Sequence, residues 1–237
     1  MTVLSVVQDF CKRTGITEPG SVLGTTDPQI KQVLGILEEE GRDLAARGNW
    51  QGLTFEASHT TLATEDQGAI STIASNGFRY VKNQTIWDRT DELPVIGPMD
   101  SQEWQALKGT NNTGPRYRYR IRGGKLLVNP APVAGHDWRF EYISQNWILG
   151  VDGVTYKKRF TLDTDTILLP EDLVLQGLRW RWKKEKGFEY AEDFRTYEMQ
   201  VKDELGHDGS RPVLCMDDDR SYPQPGVFIP SGSWSVP

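Results

Sequence analysis

From Leu168 to Leu205, apolar positions recur at helical spacing in two runs separated by Gly187, the pattern of a helical hairpin. Leu169-Pro170-Glu171-Asp172 opens the first run. Proline is tolerated in a first helical turn, and acidic side chains there complement the helix dipole. Leu173, Gly177 and Trp180 share one face of this helix, while Leu175, Leu178 and Trp182 lie on another. A helix apolar on more than one side is buried on more than one side. The pattern therefore predicts more apolar surface than a single packing partner covers, with Leu175, Leu178 and Trp182 offered to a neighbouring subunit or partner protein. The second run, Tyr190, Phe194, Tyr197, Val201 and Leu205, forms one stripe opposite Glu189, Glu192, Asp193, Arg195, Lys202 and Asp203.

The same period governs the start of the chain. Val3, Val6, Val7 and Phe10 predict a short helix ended by Gly15. Asp27-Pro28 is an N-cap followed by proline at the first helical position. It leads a stripe of Ile30, Val33, Leu34, Leu37, Gly41 and Leu44 that closes at Gly48-Asn49. From Gly52 the period changes to two. Residues 54–62, 69–73, 77–81, 85–87 and 138–147 predict strands, and 156–162 suits one more. Residues 117–122 and 125–128 flank Gly123-Gly124 as a hairpin. Asp100 to Leu107 predicts one short helix inside this β-rich stretch.

Helices flanking a β-rich middle predict an α+β fold. Residues 1–51 and 166–208 are expected to form a helical bundle, with 52–165 inserted as an antiparallel β-rich domain. Residues 209–237 are expected to form an extended C-terminal arm. That segment holds five prolines, at 212, 223, 225, 230 and 237, a density neither helix nor central strand accommodates. It also carries Tyr222, Val227, Phe228, Ile229 and Trp234, side chains of little use to a linker. They suit docking on another subunit or a partner, or packing on the arm's own subunit.

Composition narrows the function classes. A net charge of −6 argues against a free nucleic-acid binder while leaving room for a local basic patch. Cys11 and Cys215 show no framework spacing, which suits a reducing compartment. No run approaches a membrane span, and Met1-Thr2-Val3-Leu4-Ser5 lacks the basic start of a signal peptide. His59, His136 and His207 are isolated at the level of sequence and have no zinc-site spacing, so no metal is expected. No cofactor is expected either: the glycine-bounded stretch 109–114 lacks the Lys-Ser/Thr end of a phosphate loop. Asp217-Asp218-Asp219 reads as a solvated charge run.

One row stands out. Arg116, Arg118, Arg120 and Arg122 alternate with Tyr117, Tyr119 and Ile121. On a strand all four guanidinium groups share a face. They would suit DNA phosphate, an acidic neighbouring subunit, or cross-strand carboxylates such as Glu141 on a solvated face. The acidic net charge favours the last two.

Several stretches resemble a widespread group of tailed-phage proteins. They are Thr85-Ile86-Trp87-Asp88-Arg89, Gly97-Pro98 leading to Glu103-Trp104-Gln105-Ala106-Leu107-Lys108, Tyr119-Arg120-Ile121-Arg122-Gly123 and Phe140-Glu141-Tyr142-Ile143-Ser144. Asp163-Thr164-Asp165-Thr166 and the run from Gly177-Leu178-Arg179-Trp180 to Tyr190-Ala191-Glu192-Asp193-Phe194-Arg195-Thr196-Tyr197-Glu198 complete the set. The group comprises the head-to-tail adaptor (connector) proteins of short-tailed bacteriophages, including tail tubular protein A. The likeness spans roughly residues 1–210 and carries no catalytic residues. It implies a structural, non-enzymatic ring, typically of twelve copies, between portal protein and tail nozzle. DNA would pass through the central channel of a virion neck assembled in the host bacterial cytoplasm. Two other classes stand beside it. One is a virion-associated cell-wall hydrolase. The other is a carbohydrate- or host-binding module using Trp87, Trp104, Trp138 and Trp147, a reading that fails if those indoles are buried.

Overall fold

A computed structural model describes residues 1–82, 85–110 and 116–209. The fold is α+β, with antiparallel sheets. Helix α1 (Val3–Thr14) is capped by the Thr2 side chain and stopped by left-handed Gly15. Helix α2 (Pro28–Arg47) starts where Asp27 accepts the Gln29 N–H at 2.8 Å. Just past its end, Trp50 turns back and donates its indole N–H to the Leu44 carbonyl at 2.8 Å, satisfying a helix-terminal acceptor.

A short 3₁₀ turn leads into β1 (Thr54–Thr60), followed by β2 (Asp66–Ala69), the single turn α3 (Ile70–Ile73), β3 (Phe78–Val81), β4 (Trp87–Asp88) and β5 (Leu93–Pro94). Helix α4 (Ser101–Gly109) begins with a capping box between Asp100 and Glu103. Strands β6 (Arg118–Arg122) and β7 (Lys125–Asn129) form a hairpin whose turn places Gly123 and Gly124 at φ of 58° and 72°. Strands β8 (Asp137–Ser144), β9 (Ile148–Leu149), β10 (Tyr156–Lys157) and β11 (Thr166–Ile167) precede α5 (Glu171–Glu185) and α6 (Ala191–Asp208).

The long strand β8 organises the largest sheet. It pairs with β1 along one edge and with β3 and β4 along the other, and β5 extends the sheet beyond β4. A second sheet runs β2-β7-β6 and a third β10-β9-β11. The strand expected over 69–73 breaks at Ile70. There the chain donates the Ile70 N–H to the Gly124 carbonyl and turns helically, while the unanticipated strand Asp66–Ala69 takes the pairing with β7.

Two large apolar cores result. One unites α1, α2, α5 and Tyr197 and Val201 of α6 with Ile143, Trp147, Ile148, Phe160 and Ile167. The other lies under β6, β7 and β8 and includes Tyr119, Leu126, Val128, Trp138, Phe140 and Tyr142. A smaller cluster joins Trp104 and Leu107 of α4 to Leu127 of β7. Close helix packing depends on two glycines. A Cβ on Gly41 would strike the Trp147 indole, and one on Gly177 would strike the Glu40 carboxylate. No helix among the described residues is long and apolar enough to cross a membrane.

Candidate functional site

The arginine row lies where alternation forces it. Tyr119 is fully buried against the second core, and Tyr117 and Ile121 pack beside it, so Arg118, Arg120 and Arg122 point to the opposite face. Across the hairpin they meet Asn129, Leu127 and Lys125. Like charges directly opposite, as at Arg122 and Lys125, repel. Helix α4 covers Leu127 on this face, and Arg120 donates to Ser101 Oγ at 2.6 Å beside the helix start. Arg118 shares a shallow depression with Glu103, Met99 and Leu107, and Glu103 is turned to its own cap at Asp100. Arg116 and Arg122 are exposed.

Pairing of this row with Glu141 is not what the fold provides. Glu141 lies on β8, in the other sheet, and pairs with Lys82 at 3.3 Å. The neighbouring carboxylates Glu65 and Asp66 are taken by Lys108 and Lys125. Among the described residues no carboxylate lies within ion-pair distance of Arg116, Arg118, Arg120 or Arg122.

The hairpin of α5 and α6 differs from expectation in how much apolar surface it leaves. Leu178 is fully buried, and Leu175 and Trp182 are only 5% and 8% exposed within one protomer. The excess apolar surface is absorbed because α5 contacts α1, α2 and α6 at once. Trp182 packs edge-on against Phe10 of α1 at 5.7 Å, and Trp180 makes tilted and edge-on ring contacts with Tyr190, at the start of α6, and with Phe194 and Tyr197 of α6. What stays open is a groove of about 670 Å³. Leu175, Trp182 and Phe10 form its apolar lining, and Phe188, 64% exposed, lies at the turn between the two helices. The α6 stripe also thins toward its start, where Tyr190 and Phe194 are each 37% exposed. Tyr222, Val227, Phe228, Ile229 and Trp234 lie outside the described residues.

Two polar assemblies were not legible in sequence. Glu40, fully buried, receives Arg181 and the Tyr197 hydroxyl, while Arg181 also reaches Asp43 at 2.8 Å and Arg47 ties Asp43 to Glu198. Burial pushes the Glu40 carboxyl up against these partners. The second assembly forms because β4 pairs with β8, which brings His136 to Asp88. Its Nδ1 lies 2.8 Å from Asp88 Oδ2 and 3.5 Å from Asp91 Oδ2. His136 is thus not isolated as the sequence spacing implied. Asp88 is sealed, and its other oxygen accepts the N–H groups of Thr90 and Asp91. Trp104, Trp138 and Trp147 are fully buried, so they form no aromatic binding platform; Trp87 is half-buried. The Asp163-Thr164-Asp165-Thr166 stretch is structural. Asp163 caps Val22 and Leu23, and buried Asp165 holds Lys157 at 2.8 Å.

No protein-family model matches this chain, and a search of curated proteins returns no match.

Proposed function

We propose that this protein is a structural head-to-tail adaptor of a short-tailed phage, forming a ring, of twelve copies in the family it resembles, between portal protein and tail nozzle. In this reading the N- and C-terminal helices form the ring-building bundle, the β-rich part is inserted, and residues 209–237 are an extended arm. DNA passes through the central channel, and the protein resides in the virion neck after assembly in the host bacterial cytoplasm. The observation that carries the reading is the open apolar groove lined by Leu175 and Trp182 with exposed Phe188 at its edge. An isolated protomer leaves Phe188, at the mouth of that groove, facing water, whereas a neighbouring copy covers it. Subunits in a ring each contact two different neighbours through unlike surfaces that close by rotation. The arm, with Tyr222, Val227, Phe228, Ile229 and Trp234, then reaches an adjoining subunit or the portal.

Native mass measurement of the full chain mixed with its portal protein tests the proposal. Rings bound to portal are expected. A protein that stays monomeric and unbound in the presence of portal overturns it.

A further inference from the structure

We infer that the outward face of β6, with Arg118, Arg120 and Arg122, together with exposed Arg116 just before the strand, binds the phosphate backbone of a nucleic acid. The inference stands on this face alone and does not require that a ring form. Three observations carry it. First, alternation with buried Tyr119 fixes the side on which the guanidinium groups emerge, and the hairpin with β7 holds Arg118, Arg120 and Arg122 on a paired strand. Second, the described fold supplies the row with no carboxylate partner; it sets Lys125 opposite Arg122, and nearby Glu65 and Asp66 are engaged elsewhere. In a chain of net charge −6, a row of four arginines without a carboxylate partner among the described residues concentrates positive potential.

Third, the spacing suits a repeating polyanion. Alternate residues on a strand repeat at roughly 6.8 Å, so the three strand arginines cover about 14 Å. Each DNA strand offers one phosphate per about 3.4 Å of axis, a line of like charges that a row of cations meets in any register. Guanidinium is planar, permanently charged and matched to bidentate phosphate contact. An acidic protein surface offers such a repeat only where its carboxylates line up on one strand or helix face. Binding of this kind is independent of base sequence.

Fluorescence anisotropy of a labelled 20-base-pair duplex with the full chain, from 25 to 200 mM NaCl, tests the inference. Binding that weakens with salt is expected. Replacing the two exposed arginines together, Arg116→Gln with Arg122→Gln, is expected to weaken binding at 50 mM NaCl by about tenfold or more and to reduce the salt slope by about 1.8. A control, Arg159→Gln with Arg195→Gln, removes the same charge from exposed positions elsewhere and is expected to leave the slope unchanged. Circular dichroism checks that both variants fold. No binding at 25 mM NaCl overturns the inference. So does equal loss in the control, which would mean diffuse attraction. Binding of labelled poly-glutamate as tightly as the duplex, through the same two arginines, also overturns it and points to an acidic protein partner.

Discussion

The buried phenol of Tyr197 donates its proton to the buried carboxylate of Glu40, joining α6 to α2 across the interior of the helical core. Arg181 of α5 approaches the same carboxylate, so one acidic side chain coordinates three helices. Removing one member of a buried charged set leaves the others without compensation, at about 3–5 kcal/mol. Glu40→Ala is therefore expected to destabilise by about 3 kcal/mol or more in urea unfolding. Tyr197→Phe, which removes one hydrogen bond to a charged acceptor, should cost about 1–3 kcal/mol.

The Glu40→Gln variant separates charge from shape. Burial raises the Glu40 carboxyl above its unfolded value. A raised carboxyl contributes stability that is complete below the unfolded value and lost as pH rises through the folded one. Glutamine does not titrate. Relative to wild type, Glu40→Gln is expected to gain as pH rises from about 4.5 upward, read as the difference between two urea midpoints across pH 4 to 8. A difference that stays flat over that range would mean that Glu40 titrates alike in both states.

Gly177 sits against Glu40 from the α5 side, and Gly41 against the Trp147 indole. Neither neighbour has free space to retreat into, since both side chains are fully buried. On an exposed helix an alanine in place of glycine gains helix propensity. Here overpacking dominates, and Gly177→Ala and Gly41→Ala are each expected to destabilise by about 1–3 kcal/mol. Thermal unfolding of the two single variants measures this, and a rise in midpoint for either would show that the helices separate readily at that point.

The Asp88–His136 pair gives a pH profile with two limbs. Asp88 and, more weakly, Asp91 raise the His136 imidazole, with burial opposing them. Burial alone would raise Asp88, yet His136 and the Asp91 and Thr90 N–H groups together hold it low. The raised histidine stabilises fully below its ordinary value near 6.5, and this is lost as pH climbs through the folded value. The lowered carboxylate stabilises above its ordinary value near 4, and this is lost as pH falls through the folded one. The pair's contribution is therefore greatest between about pH 4 and 6.5. His136→Gln is expected to flatten the alkaline limb of a midpoint-against-pH curve, and an unaltered limb would show that another group produces it.

Local chemistry was legible in the sequence where it acts over a few residues. Asp27-Pro28, the helix start at Asp100 and Gly123-Gly124 each mark an element boundary because the groups that set the local backbone are near in sequence. The alternation of Trp138, Phe140 and Tyr142 likewise shows the inward face of β8. Features set by strand pairing were hidden. Asp66–Ala69 has little intrinsic strand character and is a strand because β7 recruits it. His136 meets Asp88, 48 positions away, only through the β4–β8 ladder. The arginine row was visible, but its want of carboxylate partners among the described residues depends on which strands and which helix face it. The apolar excess of α5 was visible too. How much of it α1, α2 and α6 would cover was a property of their packing.

That last point separates two side chains that both border the groove. Trp182 is 8% exposed and edge-packed on Phe10, so it belongs to the protomer's core as well as to the groove lining. Trp182→Ala is expected to destabilise by about 3–5 kcal/mol, as other large aromatic truncations in cores do. Any loss of assembly in that variant would be confounded with loss of fold. Phe188 is 64% exposed and contributes little to the folded protomer. Phe188→Ser is expected to shift stability by no more than about 0.5 kcal/mol. If a neighbouring copy covers the groove, the same substitution removes an apolar anchor from the contact and is expected to reduce ring formation with portal at least tenfold by native mass measurement. Assembly at the wild-type level by a folded Phe188→Ser protein would place the subunit contact on another surface.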